Sequence, residues 1–120
     1  MNTESIENDC IFCRIVAGST PVEPVYDGGD TLFFHDISPK AKVHILGIPK
    51  NHLSSLSIMT AADQAIIGKL IHDATIVAKD KGIDEGGYRL VCNIGSDAGQ
   101  VVKHVHIHIL GGETLGPLRC

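Results

Sequence analysis

The sequence predicts a single α+β domain in which short strands pair as hairpins and one long helix packs on the sheet. Short apolar runs are bounded by Gly, Pro and Asp, which is typical of strands joined by turns. One longer segment has apolar residues at helical spacing. The 120 residues contain no repeat, low-complexity tract or linker that would divide them. We expect a flexible N-terminus at residues 1–9 and a C-terminal tail at residues 113–120.

The first half of the chain predicts a short helix followed by paired strands. A mainly apolar segment ends at Gly18, a residue type that commonly terminates helices. The run Asp-Gly-Gly-Asp at 27–30 is a turn signal between two strand-like runs. Pro49 closes a strongly apolar run. These signals predict a helix over 10–17, strands beginning at Val25 and spanning 31–36, and a further strand over 43–48.

The second half begins with the long helix. Thr60 is a suitable N-cap, Asp63 lies in the first turn, and Gly82 suits the position after the last turn. Between them, Ile, Leu, Ala and Val recur at i, i+3 and i+4, which predicts one apolar stripe against the sheet. The remaining signals predict strands over 88–93 and 101–110, separated by a loop with two glycines.

Composition and charge exclude several classes of function. The formal net charge is −4 and no basic patch is present, so we expect no nucleic-acid partner. No apolar run is long enough to span a bilayer, so we expect no membrane partner. The polar, acidic start of the chain lacks the apolar core of a signal peptide, which predicts a cytoplasmic protein. An anionic ligand would have to be held by histidines or backbone amides.

The cysteines point to a reduced metal or thiol site. Cys10 and Cys13 form a C-x-x-C pair, which in a reducing compartment indicates metal or redox chemistry more often than a disulfide. No strand-like run precedes the pair, which disfavours a thioredoxin-like role. Two buried thiols are the alternative. We expect Cys92 to be a buried strand residue and Cys120 a free C-terminal thiol.

Three histidines alternate with apolar residues near the end of the chain. On a strand, alternate side chains share one face, so His104, His106 and His108 would lie opposite the apolar residues between them. Three roles are open: a solvated strand face, a metal site, and nucleophilic catalysis at a phosphoryl group. We favour phosphoryl chemistry because the preceding loop, 93–100, contains glycines and can turn backbone amides toward an anion.

Several segments resemble the histidine triad (HIT) family. Residues 104–110, His-Val-His-Ile-His-Ile-Leu, match the family's signature of histidines alternating with apolar residues. The closing Leu-Gly-Gly and Leu-Gly-Pro resemble its Hint-like branch, the histidine triad nucleotide-binding proteins. The resemblance implies a five-stranded antiparallel sheet with one long and one short helix, and a homodimer with a continuous ten-stranded sheet. The other matching segments are 10–16, 34–39, 48–52 and 93–100.

The resemblance also implies an activity on purine nucleoside 5′-phosphoramidates. In such members the middle histidine, here His106, attacks the α-phosphorus and forms a nucleotidyl-histidine, from which water releases the nucleoside monophosphate. No organic cofactor is implied. Two alternatives stay open. One is hydrolysis of dinucleoside polyphosphates, and the other is a weakly catalytic, zinc-stabilised module that binds nucleotides or proteins.

The resemblance implies which residues bind the nucleotide. Asp36 is expected to hold the ribose hydroxyls, while Phe12 and Ile37 pack near the base. The loop before the triad is expected to approach the sugar and the phosphate. Val101 stands where Hint-like members often have a serine whose hydroxyl assists at the phosphate or the leaving group. The expected nucleotide-binding residues are Phe12, Asp36, Ile37, Asn93, Gly99, Gln100, Val101, His106 and His108.

The resemblance also implies catalytic residues and metal ligands. His108 is expected to hydrogen-bond the phosphate oxygens, and His44 to support the triad. Some members hold a structural zinc ion with two cysteines and two histidines, a donor set that suits tetrahedral zinc. His72 has no assigned role and is expected to be solvated, and His35 has none either. The expected catalytic residues are His106, His108, His104 and His44, and the expected zinc ligands are Cys10, Cys13, His52 and His104.

Overall fold

A computed structural model describes residues 9–118 of the chain. Within them, five strands form one antiparallel sheet in the spatial order 24–27, 31–35, 43–49, 107–111 and 88–91, which confirms the α+β class. No helix in this range is long and apolar enough to cross a membrane. Most of the predicted flexible N-terminus and the predicted free thiol of Cys120 lie outside the described residues. The elements are α1 (Ile11–Ala17), β1 (Pro24–Asp27), β2 (Thr31–His35), β3 (Val43–Pro49), α2 (Gln64–Asp80), β4 (Tyr88–Val91) and β5 (Ile107–Gly111).

The short helix α1 ends where its sequence predicts and begins one residue later, at Ile11. Cys10 is its N-cap, and the Cys10 Sγ accepts a hydrogen bond from the Cys13 N–H at 3.4 Å. Gly18 has a φ of 84°, a left-handed conformation that glycine adopts without steric cost, and its N–H donates to the Ile15 carbonyl. The cysteine pair is therefore held on the first turn of a helix.

The long helix α2 follows a tighter 3₁₀ turn. The Thr60 N–H donates to the Asp63 carboxylate at 2.8 Å, so the predicted start is a capping box on the 3₁₀ turn Ala61–Asp63. The α-helix then runs from Gln64 to Asp80. Its apolar stripe packs on the sheet as predicted, through the buried side chains Leu70, Ala74, Val77 and Ala78.

The two faces of the sheet bury separate clusters. Strand alternation points Phe33 to the α2 face and Phe34 to the α1 face. The cluster under α2 comprises Phe33, Ile45, Leu70, Ala74, Val77, Ala78, Ile83, Val105, Ile107 and Ile109. The cluster under α1 comprises Cys10, Phe12, Cys13, Ile15, Leu32, Phe34, Leu46 and Ile48.

One carboxylate is buried on the α2 face. The Asp73 side chain is 4% exposed, and its Oδ2 accepts hydrogen bonds from the Thr31 hydroxyl and the Lys69 ammonium, both at 2.7 Å. Lys69 Nζ also donates to the Gly28 carbonyl at 2.7 Å. A Cβ at Gly28 would lie 2.4 Å from both Asp73 Oδ2 and Thr31 Oγ1, so only glycine fits this turn. The β1–β2 turn is therefore joined to α2 by a satisfied polar cluster.

The last strand is shorter than predicted. The sequence predicts a strand over 101–110, but β5 spans Ile107–Gly111 and residues 101–106 belong to no strand. The pairing of β3 with β5 ends at Gly47 opposite Ile107, and two residues along β3 stands Pro49, which has no N–H for a ladder. The predicted strand over 88–93 also ends early, at Val91. Cys92 therefore follows β4 and is half-buried, where the prediction was a buried strand residue.

Side chains of the segment before β5 still alternate between the two faces of the sheet, although the segment does not pair with a neighbouring strand. The Val105 N–H donates to the Leu53 carbonyl at 2.7 Å, outside the sheet pairing. Val105, Ile107 and Ile109 are all buried under α2, as predicted. The intervening histidines therefore face the α1 side, although only the last of them lies on a strand.

Candidate active site and metal centre

His106 has one ring nitrogen fixed by the backbone. Its Nδ1 lies 2.8 Å from the carbonyl oxygen of His104. Because a carbonyl only accepts, Nδ1 carries the proton and Nε2 has the lone pair. The Phe12 ring lies edge-on to the imidazole, with centroids 5.1 Å apart. The half-buried His106 thus presents a nucleophilic nitrogen in a defined tautomer.

A chain of hydrogen bonds fixes His44 and His108. The Lys40 backbone N–H donates to His44 Nδ1 at 2.9 Å, so the proton of His44 is on Nε2. That Nε2 lies 2.9 Å from His108 Nδ1 and 3.4 Å from Asp36 Oδ2. His44 therefore donates to His108, and the proton of a neutral His108 is on Nε2. This arrangement makes the Nε2–H of His108 a donor for an anion.

Burial keeps this pair of imidazoles neutral near pH 7. Burial lowers the pKa of His44, and the nearby Asp36 carboxylate offsets that effect only in part. Burial also lowers the pKa of His108, with further lowering from His106 and His44. Neutral rings can donate and accept along one chain, which a doubly protonated imidazolium cannot do.

Asp36 and its neighbours form an open edge of the site. Asp36 Oδ1 accepts the Ser38 N–H at 2.7 Å, which is an Asx-type turn, while the other oxygen faces His44. Ile37 is 97% exposed, so its side chain is free to contact a ligand. Phe12 is buried against Phe34 and the triad. The ribose and base contacts expected for these residues stay predictions.

The loop before the triad is closed by its own side chains. Asn93 Nδ2 donates to the Ala98 carbonyl at 2.8 Å, and Gln100 Oε1 accepts the Gly95 N–H at 2.9 Å. Gln100 Nε2 also donates to the carbonyls of Ser54 and Val102. The Gln100 side chain therefore holds the loop in shape, and the predicted phosphate contacts of Asn93, Gly99 and Gln100 stay predictions. Val101, which follows, is 87% exposed.

Two cysteines and two histidines lie close together at the start of α1, and one of the histidines is the first of the triad. Cys10 Sγ lies 3.3 Å from His104 Nδ1, and Cys13 Sγ lies 3.2 Å from His52 Nδ1 and 3.6 Å from His104 Nδ1. All four potential ligand atoms lie within 4.8 Å of one another. Tetrahedral zinc with usual bond lengths separates sulfur and nitrogen ligands by about 3.5 Å. The four predicted ligands therefore form a group that can bind a metal ion.

The environment of His104 suits a metal ligand. The side chain is fully buried, and its Nε2–H donates to the Pro49 carbonyl at 2.8 Å. That bond leaves the Nδ1 lone pair directed to the sulfurs, as in metal sites where a backbone carbonyl fixes the histidine tautomer. Burial lowers the pKa of His104 to about 4, and the hydrogen bond to Pro49 opposes this only in part. His104 is therefore neutral and able to ligate at pH 7.

Comparison with known proteins identifies the family. A family model described as the HIT domain matches residues 18–115. The chain belongs to the HIT family. It is 38% identical over 110 residues to the purine nucleoside phosphoramidase of Escherichia coli, covering 92% of each protein. The family part of the resemblance is therefore confirmed.

Solved structures of HIT proteins share the fold. A histidine triad protein from Clostridium difficile superposes with a TM-score of 0.88 at 42% identity, covering 92% of this chain and 96% of that one. The histidine triad nucleotide-binding protein from Candida albicans gives a TM-score of 0.76 at 30% identity, covering 92% and 85%. The expected HIT fold is confirmed.

Three backbone groups of this HIT fold were not predicted. The Lys40 N–H sets the tautomer of His44, and the carbonyls of Pro49 and His104 set those of His104 and His106. Such roles cannot be recognised from residue types in a sequence, because nearly every residue has the same backbone N–H and carbonyl. His72 is exposed, as predicted, and His35 is exposed at the end of β2.

Proposed function

We propose that this HIT protein is a Hint-like hydrolase of purine nucleoside 5′-phosphoramidates. The observation that carries the proposal is the fixed tautomer of His106. Its Nδ1–H is bonded to the His104 carbonyl at 2.8 Å, so the lone pair of Nε2 is available for attack. Supporting it, the E. coli relative at 38% identity is named a purine nucleoside phosphoramidase.

The proposed reaction has two displacements at phosphorus. In the first, Nε2 of His106 bonds to the α-phosphorus, the P–N bond to the amine breaks, and the departing amine takes up a proton from water. In the second, the oxygen of another water bonds to phosphorus, one of its protons goes to the hydroxide left by the first step, and the P–Nε2 bond breaks with its electron pair returning to Nε2. The products are the nucleoside monophosphate and the amine, and His106 returns to its starting tautomer.

Neighbouring groups would act on the phosphate and the nucleoside. The Nε2–H of His108 would donate to a nonbridging phosphoryl oxygen, which gains charge in the transition state. His44 would hold His108 in that tautomer through the 2.9 Å bond between the two rings. Asp36 would accept from the ribose hydroxyls, with Phe12 and Ile37 near the base. Asn93, Gly99 and Gln100 would shape the phosphate loop.

The metal centre in this proposal is structural zinc. Cys10, Cys13, His52 and His104 supply the Cys₂His₂ set of closed structural sites. The reduced C-x-x-C pair that such a set requires suits the reducing cytoplasm expected from the sequence. Zinc there would stabilise the start of α1 against the segment before β5, because binding free energy at such sites adds to folding.

The assembly in this proposal is a homodimer. β4 is an edge strand of the sheet and its residues are only partly buried. An edge strand exposes unpaired N–H and C=O groups that can pair with another strand. Pairing of β4 with the same strand of a second copy would make the ten-stranded sheet expected from the resemblance. Native mass spectrometry tests this, and a monomer at micromolar concentration would contradict it.

The test of the activity is detection of the covalent intermediate. The protein is mixed with an adenosine 5′-phosphoramidate, denatured within seconds and weighed by intact-mass spectrometry. We expect a transient adduct of one adenylyl group, absent in His106→Ala and retained in His72→Ala, the exposed-histidine control. Turnover of diadenosine polyphosphate in preference to the phosphoramidate would favour the other hydrolase. Nucleotide binding with neither adduct nor product would favour the binding module.

A further inference from the structure

His104 is part of the metal-ligand group and also contacts the nucleophilic residue, His106. Its Nδ1 faces the sulfurs of Cys10 and Cys13 at 3.3 and 3.6 Å. Its backbone carbonyl accepts the Nδ1–H of His106 at 2.8 Å. The group that orients the nucleophilic ring is thus the backbone of a residue whose side chain is a metal-ligand candidate. A backbone shift that carries the His104 side chain out of the centre would move this carbonyl.

A second path joins the same two groups through α1. Phe12 lies between the two cysteines in sequence, on the turn that their sulfurs hold. Its ring contacts His104 edge-on at 5.7 Å and His106 at 5.1 Å, measured between centroids. A metal ion that fixes the two sulfurs fixes the position of Phe12. The hydrogen-bonded side of His106 therefore contacts a residue of the centre, and its apolar side contacts the residue between the two cysteines of the centre.

The segment before β5, which carries His106, is held by hydrogen bonds outside the sheet. Residues 101–106 belong to no strand, so a sheet ladder does not hold His106 in place. Two hydrogen bonds join this segment to residues 49–53: the Val105 N–H donates to the Leu53 carbonyl, and the His104 ring donates to the Pro49 carbonyl. The second of these hydrogen bonds is made by the side chain of His104, a metal-ligand candidate.

We propose that the Cys10–Cys13–His52–His104 centre positions the nucleophile, so that metal occupancy sets the tautomer and the orientation of His106. The proposal rests on the proposed function for its kinetic part only. Cys10, Cys13 and His52 are positioning residues here, because they act through His104 and Phe12. The proposed ribose contact at Asp36 lies outside the centre, whereas Phe12 is proposed to lie near the base, so the expected effect is larger on kcat than on KM.

The first experiment measures the tautomer without any substrate. The full-length protein is labelled with ¹⁵N-histidine and long-range ¹H–¹⁵N spectra are recorded with zinc and after chelation, above the usual imidazole pKa of about 6.5. With zinc we expect a single His106 species protonated on Nδ1. Without zinc we expect both neutral tautomers. Amide spectra on the same samples show whether the metal-free protein is folded.

A variant with weakened metal binding tests the proposal if the metal-free protein unfolds. His52 is the exposed member of the centre, so His52→Ala keeps the three buried ligands and weakens metal binding without opening the core. Its matched control is His72→Ala, an exposed histidine on α2. Zinc is added stepwise to both, and metal content, His106 tautomer and phosphoramidate turnover are measured at each step.

In His52→Ala, we expect the Nδ1–H fraction of His106 and kcat to rise together with zinc occupancy, while KM changes less than kcat. The expected gain in kcat is about 10- to 100-fold, the usual cost of losing a supporting shell around a metal site. His72→Ala should behave as the unaltered protein. If the tautomer of His106 and kcat are unchanged between zinc-free and zinc-loaded folded protein, the proposal is wrong.

Other outcomes separate this proposal from the proposed function. A kcat that follows zinc while the His106 tautomer does not would overturn the positioning role. Failure of the protein to bind zinc at any concentration would overturn it as well. A tautomer that follows zinc in a protein with no turnover would support the coupling and contradict the phosphoramidase activity.

Discussion

The face of the sheet under α2 and the face under α1 are formed by the same strands but bury different side chains. Under α2 the buried residues are almost all aliphatic, and the buried Asp73 has partners in Thr31 and Lys69. Under α1 the buried set includes two thiols and lies next to five imidazoles, those of His44, His52, His104, His106 and His108. Residues 104–109 contribute alternately to both faces.

The difference shows how this fold separates stability from chemistry. Apolar burial under α2 stabilises the fold and leaves little that can react. On the α1 face, backbone groups of His104, Lys40 and Pro49 select the tautomers of His106, His44 and His104, and the His44 ring selects that of His108. Changes on one face should therefore alter stability, and changes on the other should alter turnover.

The largest expected effect is on turnover, from His106→Ala. We expect phosphoramidate kcat/KM to fall by roughly 10⁴-fold or more, because the nucleophile is lost. Stability should change by less than about 1 kcal/mol, since the half-buried ring has one hydrogen bond to lose. Steady-state kinetics and urea unfolding on one preparation measure both. Substantial residual turnover would contradict the role of His106.

Leu70→Ala, under α2, should lower stability and leave turnover unchanged. Leu70 is 1% exposed, so truncation should lower the free energy of unfolding by about 2–5 kcal/mol. The fraction that is folded should keep its kcat, because Leu70 lies on the face away from the histidines. A loss of kcat in folded protein would show that the two faces are not independent.

The buried carboxylate predicts a pH dependence of stability. Burial opposes ionisation of Asp73, but the hydrogen bonds from Lys69 and Thr31 outweigh it and lower its pKa. A carboxylate whose folded pKa is below its unfolded pKa of about 3.9 stabilises the fold above that pH, and this contribution is lost as the pH falls toward the folded pKa. In Asp73→Asn, unfolding free energy should be lower at pH 7 and should decline less below pH of about 4. Equal acid sensitivity of both proteins in urea titrations would exclude this role.

The smallest expected effect is from Val101→Ser. Val101 is 87% exposed, so the change in stability should stay within about 0.5 kcal/mol. A hydroxyl at this position would give one hydrogen bond at the phosphate or leaving group, which raises kcat by about tenfold at most. The control is Val101→Ala, which should not raise kcat. An equal gain from both variants would assign the effect to side-chain size.

Local patterns in the sequence account for much of the fold. The stripe of α2, the Thr60 cap, the termination at Gly18 and the turn at 27–30 are all present where the sequence predicts them. These features depend on neighbours within a few residues, so a sequence contains the information for them. Alternation over residues 104–109 likewise predicted which side chains enter the aliphatic core.

The tertiary structure decided where that alternation stops being a strand. β5 begins at Ile107 because its partner β3 reaches Pro49, and a strand's length depends on its partner as well as on its own residues. It also brought Cys10 to His104, which are separated by 94 positions in the chain, and placed the Pro49 and Lys40 backbone groups on ring nitrogens. The sequence by itself determined which residue types could carry the chemistry. The packing of distant backbone determined their tautomers, because a hydrogen bond to a carbonyl or an N–H exists only when the fold brings the two together.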